Sequence, residues 1–153
     1  MNNISQKLFE TLRKYDTPTI VNSLELLDSK FRTSGFTTEQ LVCADTSLPP
    51  IVGYARTATI KASNEIDQQI KRERSLAYYK YVSSGTGPWV SVIQDIDPNP
   101  GFGAFWGEVN SNIHKALGVI GVLTNGSVRD LYLLSEGFQV LAGKSGRPML
   151  MYA

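Results

Sequence analysis

The feature that most constrains this chain is the alternation of strand and helix patterns through its second half. Trp89-Val90-Ser91-Val92-Ile93 is rich in β-branched and aromatic residues and predicts a strand that runs into Gln94-Asp95-Ile96-Asp97. Pro98, Pro100, Gly101 and Gly103 break it and predict a turn, after which a helical pattern spans Phe105 to Leu117. Gly118-Val119-Ile120-Gly121-Val122-Leu123 reads as a short buried strand. A helix is expected from about Ser127 to Ser135, and Phe138 to Leu141 opens a further strand. Such alternation predicts an α/β layer fold.

The first half is consistent with that frame. Ile4, Leu8, Phe9, Leu12 and Tyr15 recur at helical spacing, and Thr17-Pro18 reads as the N-cap and first residue of a second helix. Ile20, Val21, Leu24 and Leu27 give that helix an apolar face. Residues 29 to 50 contain Gly35 and end in Pro49-Pro50, a loop pattern. Ile51 to Ile60 predicts a strand. Ser63 or Asn64 is expected to cap a third helix carrying Ile66, Ile70, Ala77 and Tyr81. Within it, Lys71-Arg72-Glu73-Arg74 reads as a solvated face, because Glu73 interrupts the positive run. Ser84-Gly85-Thr86-Gly87-Pro88 ends the helix.

Composition narrows the class. A chain of 153 residues fits one domain, residues 1–153, that buries roughly two-thirds of its unfolded surface. A net charge of +1 makes no electrostatic case for nucleic acid or an anionic membrane. No apolar run approaches the roughly 18 residues of a membrane span, and the N-terminus lacks a signal-peptide layout. The single Cys43 excludes an intrachain disulfide, fits a reducing compartment and reads as a small buried hydrophobe. The expectation is a cytoplasmic protein.

Two strand-to-helix junctions could carry chemistry. One is the glycine-rich approach to Gly107-Glu108-Val109-Asn110; the other is Thr124-Asn125-Gly126-Ser127, just before Arg129-Asp130. Free backbone N–H groups at a helix start favour a carboxylate or phosphate. Arg129 offers a planar fork for a carboxylate, and Asp130 a hard oxygen for Mg²⁺ or Mn²⁺. By spacing alone, the same two residues also fit a helix cap with a surface ion pair. Gly101-Phe102-Gly103 reads as a plain turn. His114, beside Asn112 and Lys115, reads as a surface residue, and one histidine without a second ligand cluster argues against zinc. Asp95 and Asp97 fit either a turn cap or a metal, the cap being favoured. Trp106 reads as a core or interface aromatic.

Gly107-Glu108-Val109-Asn110, then Gly118-Val119-Ile120-Gly121-Val122, then Asn125-Gly126-Ser127-Val128-Arg129-Asp130 resembles the signature of the RraA-like family. The likeness extends to Tyr15-Asp16-Thr17-Pro18-Thr19, Gln94-Asp95-Ile96-Asp97 and Glu136-Gly137-Phe138-Gln139-Val140, and so covers most of residues 10 to 142. The family includes 4-hydroxy-4-methyl-2-oxoglutarate aldolases, which also decarboxylate oxaloacetate, and regulators of ribonuclease activity. The resemblance implies a swivelling β/β/α domain and a homotrimer or hexamer. It also implies a divalent metal, Mg²⁺ or Mn²⁺, on Asp130. Arg129 would hold a pyruvate-like carboxylate or carbonyl, and Gly107, Glu108, Val109 and Asn110 would line the substrate, with Glu108 where family aldolases often have aspartate.

Two departures qualify what the resemblance implies. Leu133 stands where family aldolases usually carry an acid three positions after the metal aspartate, and Glu136 lies one turn further on. An acid there orients metal-bound water, so Leu133 bears on metal affinity and turnover. The family typically continues past the position of Ala153, which leaves Gly143 to Ala153 either divergent or part of a shortened domain lacking the C-terminal strands. Three functions follow as expectations: a metal-dependent pyruvate aldolase or oxaloacetate decarboxylase, a noncatalytic protein-binding regulator of a ribonuclease, and an inactive truncated paralogue.

Overall fold

A computed structural model describes residues 4–145, and the expectation for the end of the chain lies outside them from residue 146 onward. Four α-helices and five strands follow one another as α1 (Gln6–Leu12), α2 (Thr17–Leu27), β1 (Val42–Cys43), β2 (Tyr54–Ile60), α3 (Gln68–Val82), β3 (Trp89–Asp95), α4 (Glu108–Ala116), β4 (Val119–Val128) and β5 (Gln139–Ser145). The strands form one sheet in the order β1-β5-β4-β3-β2. β2, β3, β4 and β5 are parallel neighbours, and β1 closes the edge antiparallel to β5. The mixed α/β class expected from the alternation is what the chain adopts.

The helices start where local chemistry dictates, though not always at the residue expected. Asp16, not Thr17, caps α2: its carboxylate accepts the Thr19 N–H at 2.8 Å, and Pro18 sits within the first turn. Asp16 has the extended backbone of an N-cap, which aims its carboxylate at the free N–H groups of the first turn, whereas Thr17 already has helical backbone. Asp67, not Ser63 or Asn64, caps α3, accepting from Gln69 and Ile70. Residues 29 to 50 are largely irregular, as expected, but contain a 3-10 turn at Ser29–Arg32 and the two-residue β1, where Cys43 is half-buried.

The largest departure concerns residues 118 to 135. β4 does not stop near Leu123; it continues to Val128, and the helix expected from Ser127 to Ser135 is absent, replaced by a 3-10 turn at Leu131–Leu133. The reason is the Asn125 side chain. Its Oδ1 accepts the Asp95 N–H at 2.7 Å and its Nδ2 donates to the Asp95 carbonyl at 3.0 Å, so the amide takes the place of a backbone rung. Asn125-Gly126, a turn signal in isolation, becomes an irregularity between Thr124 and Ser127 in the β4–β5 register.

The core is built from the helix-facing side of the sheet. Val82 of α3, Ile93 of β3, Val122 and Val128 of β4, Val140 and Ala142 of β5, with Trp106 and Phe138, form one buried cluster. Alternation explains the membership: Val122 pairs with Ser91, and both are fully buried, whereas Gln94 on the opposite face of β3 is exposed. α2 contributes little to this core, and Leu26 and Leu27 are 88% and 82% exposed.

His114, expected at the surface, is completely buried. The helical repeat puts Asn112 and Lys115 outward while Ser111 and His114 face the sheet. His114 Nδ1 lies 2.7 Å from the Asn110 carbonyl and Nε2 lies 2.9 Å from the Tyr78 hydroxyl. Those partners define a neutral ring with the proton on Nδ1 and the Tyr78 hydroxyl donating to Nε2. Aromatic rings surround it, with Trp106 at 4.5 Å between centroids and Tyr79 and Phe105 at 6.0 and 6.4 Å. Burial holds the imidazole below its ordinary value of 6.5, only partly offset by the Asn110 carbonyl. Burial also pushes the Tyr78 phenol up to about 12, so it does not ionise in the same range.

The unfolded chain therefore takes up the His114 proton at a higher pH than the folded one. The contribution of His114 to stability is intact above 6.5 and is lost as pH falls from 6.5 toward the lower folded value. Urea midpoints measured from about pH 8 to about pH 5 are expected to fall in the native chain and to fall less in His114→Gln. Equal slopes for the two proteins refute the assignment.

Candidate functional site

The expected site residues lie on two segments that the fold joins at one point. Trp106 forms a parallel bridge with Val128, and the Arg129 N–H donates to the Trp106 carbonyl at 2.9 Å. The segment before α4 thus runs as a short extra rung along the end of β4. That rung sets Gly107, the N-cap of α4, directly against Arg129 and Asp130.

Gly107 shows how close the approach is. A Cβ at this position would lie 2.9 Å from Asp130 Oδ2 and 3.1 Å from Arg129 Cγ. Its backbone is extended, with φ −177°, so a side chain here is opposed by contact with Asp130 and Arg129 and not by conformation. Asp130 itself has φ 54° and ψ 42°. This left-handed conformation costs most residues about 1–2 kcal/mol, and aspartate tolerates it better than most. It swings the chain out of β4 and into the 3-10 turn, leaving the Asp130 carboxylate facing Gly107.

Arg129 and Asp130 are therefore not at the start of an α-helix, contrary to the sequence expectation; Asp130 precedes only the 3-10 turn Leu131–Leu133 and its side chain does not cap it. The helix start they meet belongs to α4. Its first intrahelical bond runs from the Ser111 N–H to the Gly107 carbonyl at 3.0 Å. The amides of Glu108, Val109 and Asn110 precede it, and no side chain caps them. Glu108 is the first residue of α4 and is exposed; Val109 is 63% exposed. Asn110 faces inward, its Nδ2 donating to the Phe105 carbonyl at 2.6 Å.

The charges are modestly coupled. Arg129 Nη1 lies 3.6 Å from Asp130 Oδ2, with the two side chains 50% and 30% exposed. A pair at that distance and exposure is worth about 0–1 kcal/mol. Leu133 is 44% exposed beside them, together with Leu131 and Tyr132. Among the described residues, no three histidine, cysteine, aspartate or glutamate side chains converge as a metal cluster.

Asp95 and Asp97 act as turn caps. Asp95 Oδ1 accepts the Asp97 N–H at 2.9 Å and Oδ2 the Gly101 N–H at 2.7 Å. Asp97 accepts the Ala62 and Ser63 N–H groups at 2.8 and 3.0 Å, and these bonds hold its carboxyl below the usual range, the Ser63 contact foremost. Asn125 and Ser127 belong to the junction singled out in the sequence, but their roles differ from those of a helix start: Asn125 braces the far end of β3, and the Ser127 hydroxyl donates to the Gly101 carbonyl at 3.0 Å and pins the turn before Trp106. These roles have no local sequence signal, since the partners lie 26 and 30 residues away.

The Gly107 contact is testable. Gly107→Ala is expected to displace Asp130 and Arg129 and to disturb backbone amide shifts at 106–110 and 128–131 in NMR spectra, while the sheet residues of β2 and β3 stay unchanged. Spectra superimposable on those of the native chain refute the contact.

The sequence matches no protein-family model and no curated protein. Among solved structures, the chain is similar to Streptomyces coelicolor RraAS2, an unusual member of the RNase ES inhibitor RraA protein family. The match has 19% identity and a TM-score of 0.65, and covers 99% of this chain and 70% of that one. It is also similar to a crystal structure described under novel cellulases from microbes associated with the gut ecosystem, at 12% identity and a TM-score of 0.64. That match covers 97% of this chain and 62% of the other, so the chain spans less than two-thirds of its length. Identities this low speak for the fold alone, and the fold is RraA-like.

Proposed function

We propose that this chain is a divalent-cation-dependent lyase acting on 2-oxo acids that carry a second carboxylate, such as oxaloacetate or 4-hydroxy-4-methyl-2-oxoglutarate, with pyruvate as product. One observation carries the reading: Arg129, Asp130 and the uncapped start of α4 meet at Gly107. A Mg²⁺ or Mn²⁺ ion held by Asp130 would supply a Lewis acid for the 2-oxo group.

The protein's own groups supply the rest. Arg129 grips the carboxylate next to the 2-oxo carbon through two parallel hydrogen bonds. When the carbon–carbon bond breaks, its electron pair moves toward the 2-oxo oxygen as an enolate; the other fragment leaves as carbon dioxide from oxaloacetate or, as the 4-hydroxyl gives up its proton, as a second pyruvate from 4-hydroxy-4-methyl-2-oxoglutarate. The amides of Glu108 and Val109 and the Arg129 guanidinium are fixed donors for that developing charge. In this reading Glu108, exposed at the head of α4, relays through water the proton that the enolate carbon takes up.

A second reading, a noncatalytic protein-binding regulator, is favoured by the surface around Asp130. Val109, Leu131, Tyr132 and Leu133 are 63%, 40%, 80% and 44% exposed, an apolar rim suited to a protein surface. The same rim suits assembly of the chain into a homotrimer or hexamer, which we include in the first reading.

Pyruvate release from oxaloacetate with Mg²⁺ or Mn²⁺, corrected for the metal-only rate, separates the readings. Arg129→Ala and Asp130→Asn are each expected to lower kcat/KM by about 100-fold or more. Asp130→Asn is informative because asparagine keeps the left-handed backbone while losing the charge. Turnover unchanged in either variant sinks the lyase reading. Calorimetric binding of neither cation, together with capture of a ribonuclease, favours the regulator.

A further inference from the structure

The Lys71-Arg72-Glu73-Arg74 run has an internal geometry that its composition conceals. On α3, Lys71, Arg74 and Tyr78 recur at spacings of three and four and line one cavity, whereas Glu73 does not, its carboxylate accepting from Gln69 Nε2 at 3.0 Å. The cavity, about 490 Å³, opens between α3, the C-terminal end of β2 and the segment Gly103 to Phe105. Lys61, just beyond β2, adds a third cation. The floor is apolar and aromatic, including Ile60, Tyr79 and Phe105.

Charge is one-sided. No aspartate or glutamate lines the cavity, and none of Lys61, Lys71 and Arg74 forms an ion pair among the described residues. The nearby Asp97 carboxylate accepts the Ala62 and Ser63 N–H groups, is also attracted by Lys61, and is not a lining residue, so Lys71 and Arg74 are the main source of positive charge at the opening. The position is one that parallel sheets favour for ligands, outside the carboxyl ends of their strands, and the volume suits a small organic molecule. Gly107, Glu108, Arg129 and Asp130 are not among the lining residues, so this place is separate from the site proposed above.

We infer that this cavity binds an amphiphilic anion, a ligand with an apolar body seated on Tyr79 and Phe105 and a carboxylate, sulfonate or phosphate head held by Lys61, Lys71 and Arg74. Neither half suffices alone. The cations are exposed and hold a free anion weakly in water, while the apolar floor has no means of choosing a charge sign.

The probe is 1-anilinonaphthalene-8-sulfonate, an aromatic sulfonate whose fluorescence rises on transfer to an apolar site, titrated into the full chain at low ionic strength. Saturable binding is expected, weakened by about tenfold in Lys71→Glu/Arg74→Glu. Displacement by decanoate is expected, without displacement by inorganic phosphate at the same concentration. Ser75→Trp, which fills the cavity without altering charge, is expected to abolish binding. Undiminished binding in the charge-reversed variant overturns the inference, because it places the dye elsewhere, for instance on the exposed Leu26 and Leu27. Displacement by phosphate equal to that by decanoate also overturns it. The competition arms use the unaltered chain and so report whatever the variants' folding.

Discussion

Trp106 joins the two halves of the structure that matter. Its ring is 1% exposed, packed 4.5 Å from His114 and stacked 5.9 Å from Phe138, while its backbone forms the bridge with Val128 and accepts from Arg129. A large aromatic held on several sides has little freedom to shift, and a bridge fixes the peptide on either side of it. The approach of Gly107 to Asp130 is therefore set from inside the core. The site inherits its geometry from packing, whereas Asp130 and Arg129 at its surface contribute only a weak pair.

That core is more polar than its volume suggests. Ser91, Ser111 and His114 are fully buried within it. His114 is satisfied at both nitrogens, and the Ser111 hydroxyl donates to the Glu108 carbonyl at 2.8 Å and accepts the Ser135 N–H at 2.9 Å. Ser111 thus ties the first turn of α4 to the segment after the 3-10 turn, holding both sides of the Asp130 excursion. Buried hydrogen bonds of this kind add about 1 kcal/mol each, but losing one partner exposes the other to a larger desolvation cost. Directional bonds select one arrangement of α4 over the sheet, which apolar contacts alone would leave free to slide.

How much of this was readable in the sequence depends on whether the cause was local. β2 and β3 were legible from their β-branched and aromatic runs, and α1 to α4 from apolar spacing, because period and propensity are properties of short windows. The α/β class followed from their alternation. The end of β4 was not legible: Asn125-Gly126 carries a local turn signal, and only the Asp95 backbone, 30 residues away, converts it into strand. The burial of His114 is not legible locally, because Asn110, Ser111, Asn112 and Lys115 around it on α4 are polar and the aromatic rings that enclose it come partly from other segments, among them Tyr78, Tyr79 and Trp106. The residues Gly107, Glu108, Arg129 and Asp130 were singled out in advance, but the reason they meet was not. The sequence suggested two separate helix starts; the fold makes one helix start and one strand end, facing each other.

The exchange of a weak pair for a ligand gives this arrangement its chemical character. The fold by itself does not assign a reaction, since the two structural neighbours carry unrelated descriptions. A ligand here must first open the Arg129–Asp130 contact. A buried pair broken by a cation would forfeit about 3–5 kcal/mol, enough to exclude a ligand of ordinary affinity. At 3.6 Å and with half of the Arg129 side chain in water, this pair forfeits about 0–1 kcal/mol. Asp130 can turn to a cation and Arg129 to a carboxylate almost without penalty, and a ligand bearing both the cation and the carboxylate replaces one weak contact with two charge-assisted ones. The uncapped amides of α4 lie across that opening. The pair and the helix start are thus both open on the same side, which is the physical condition the proposed ligand requires.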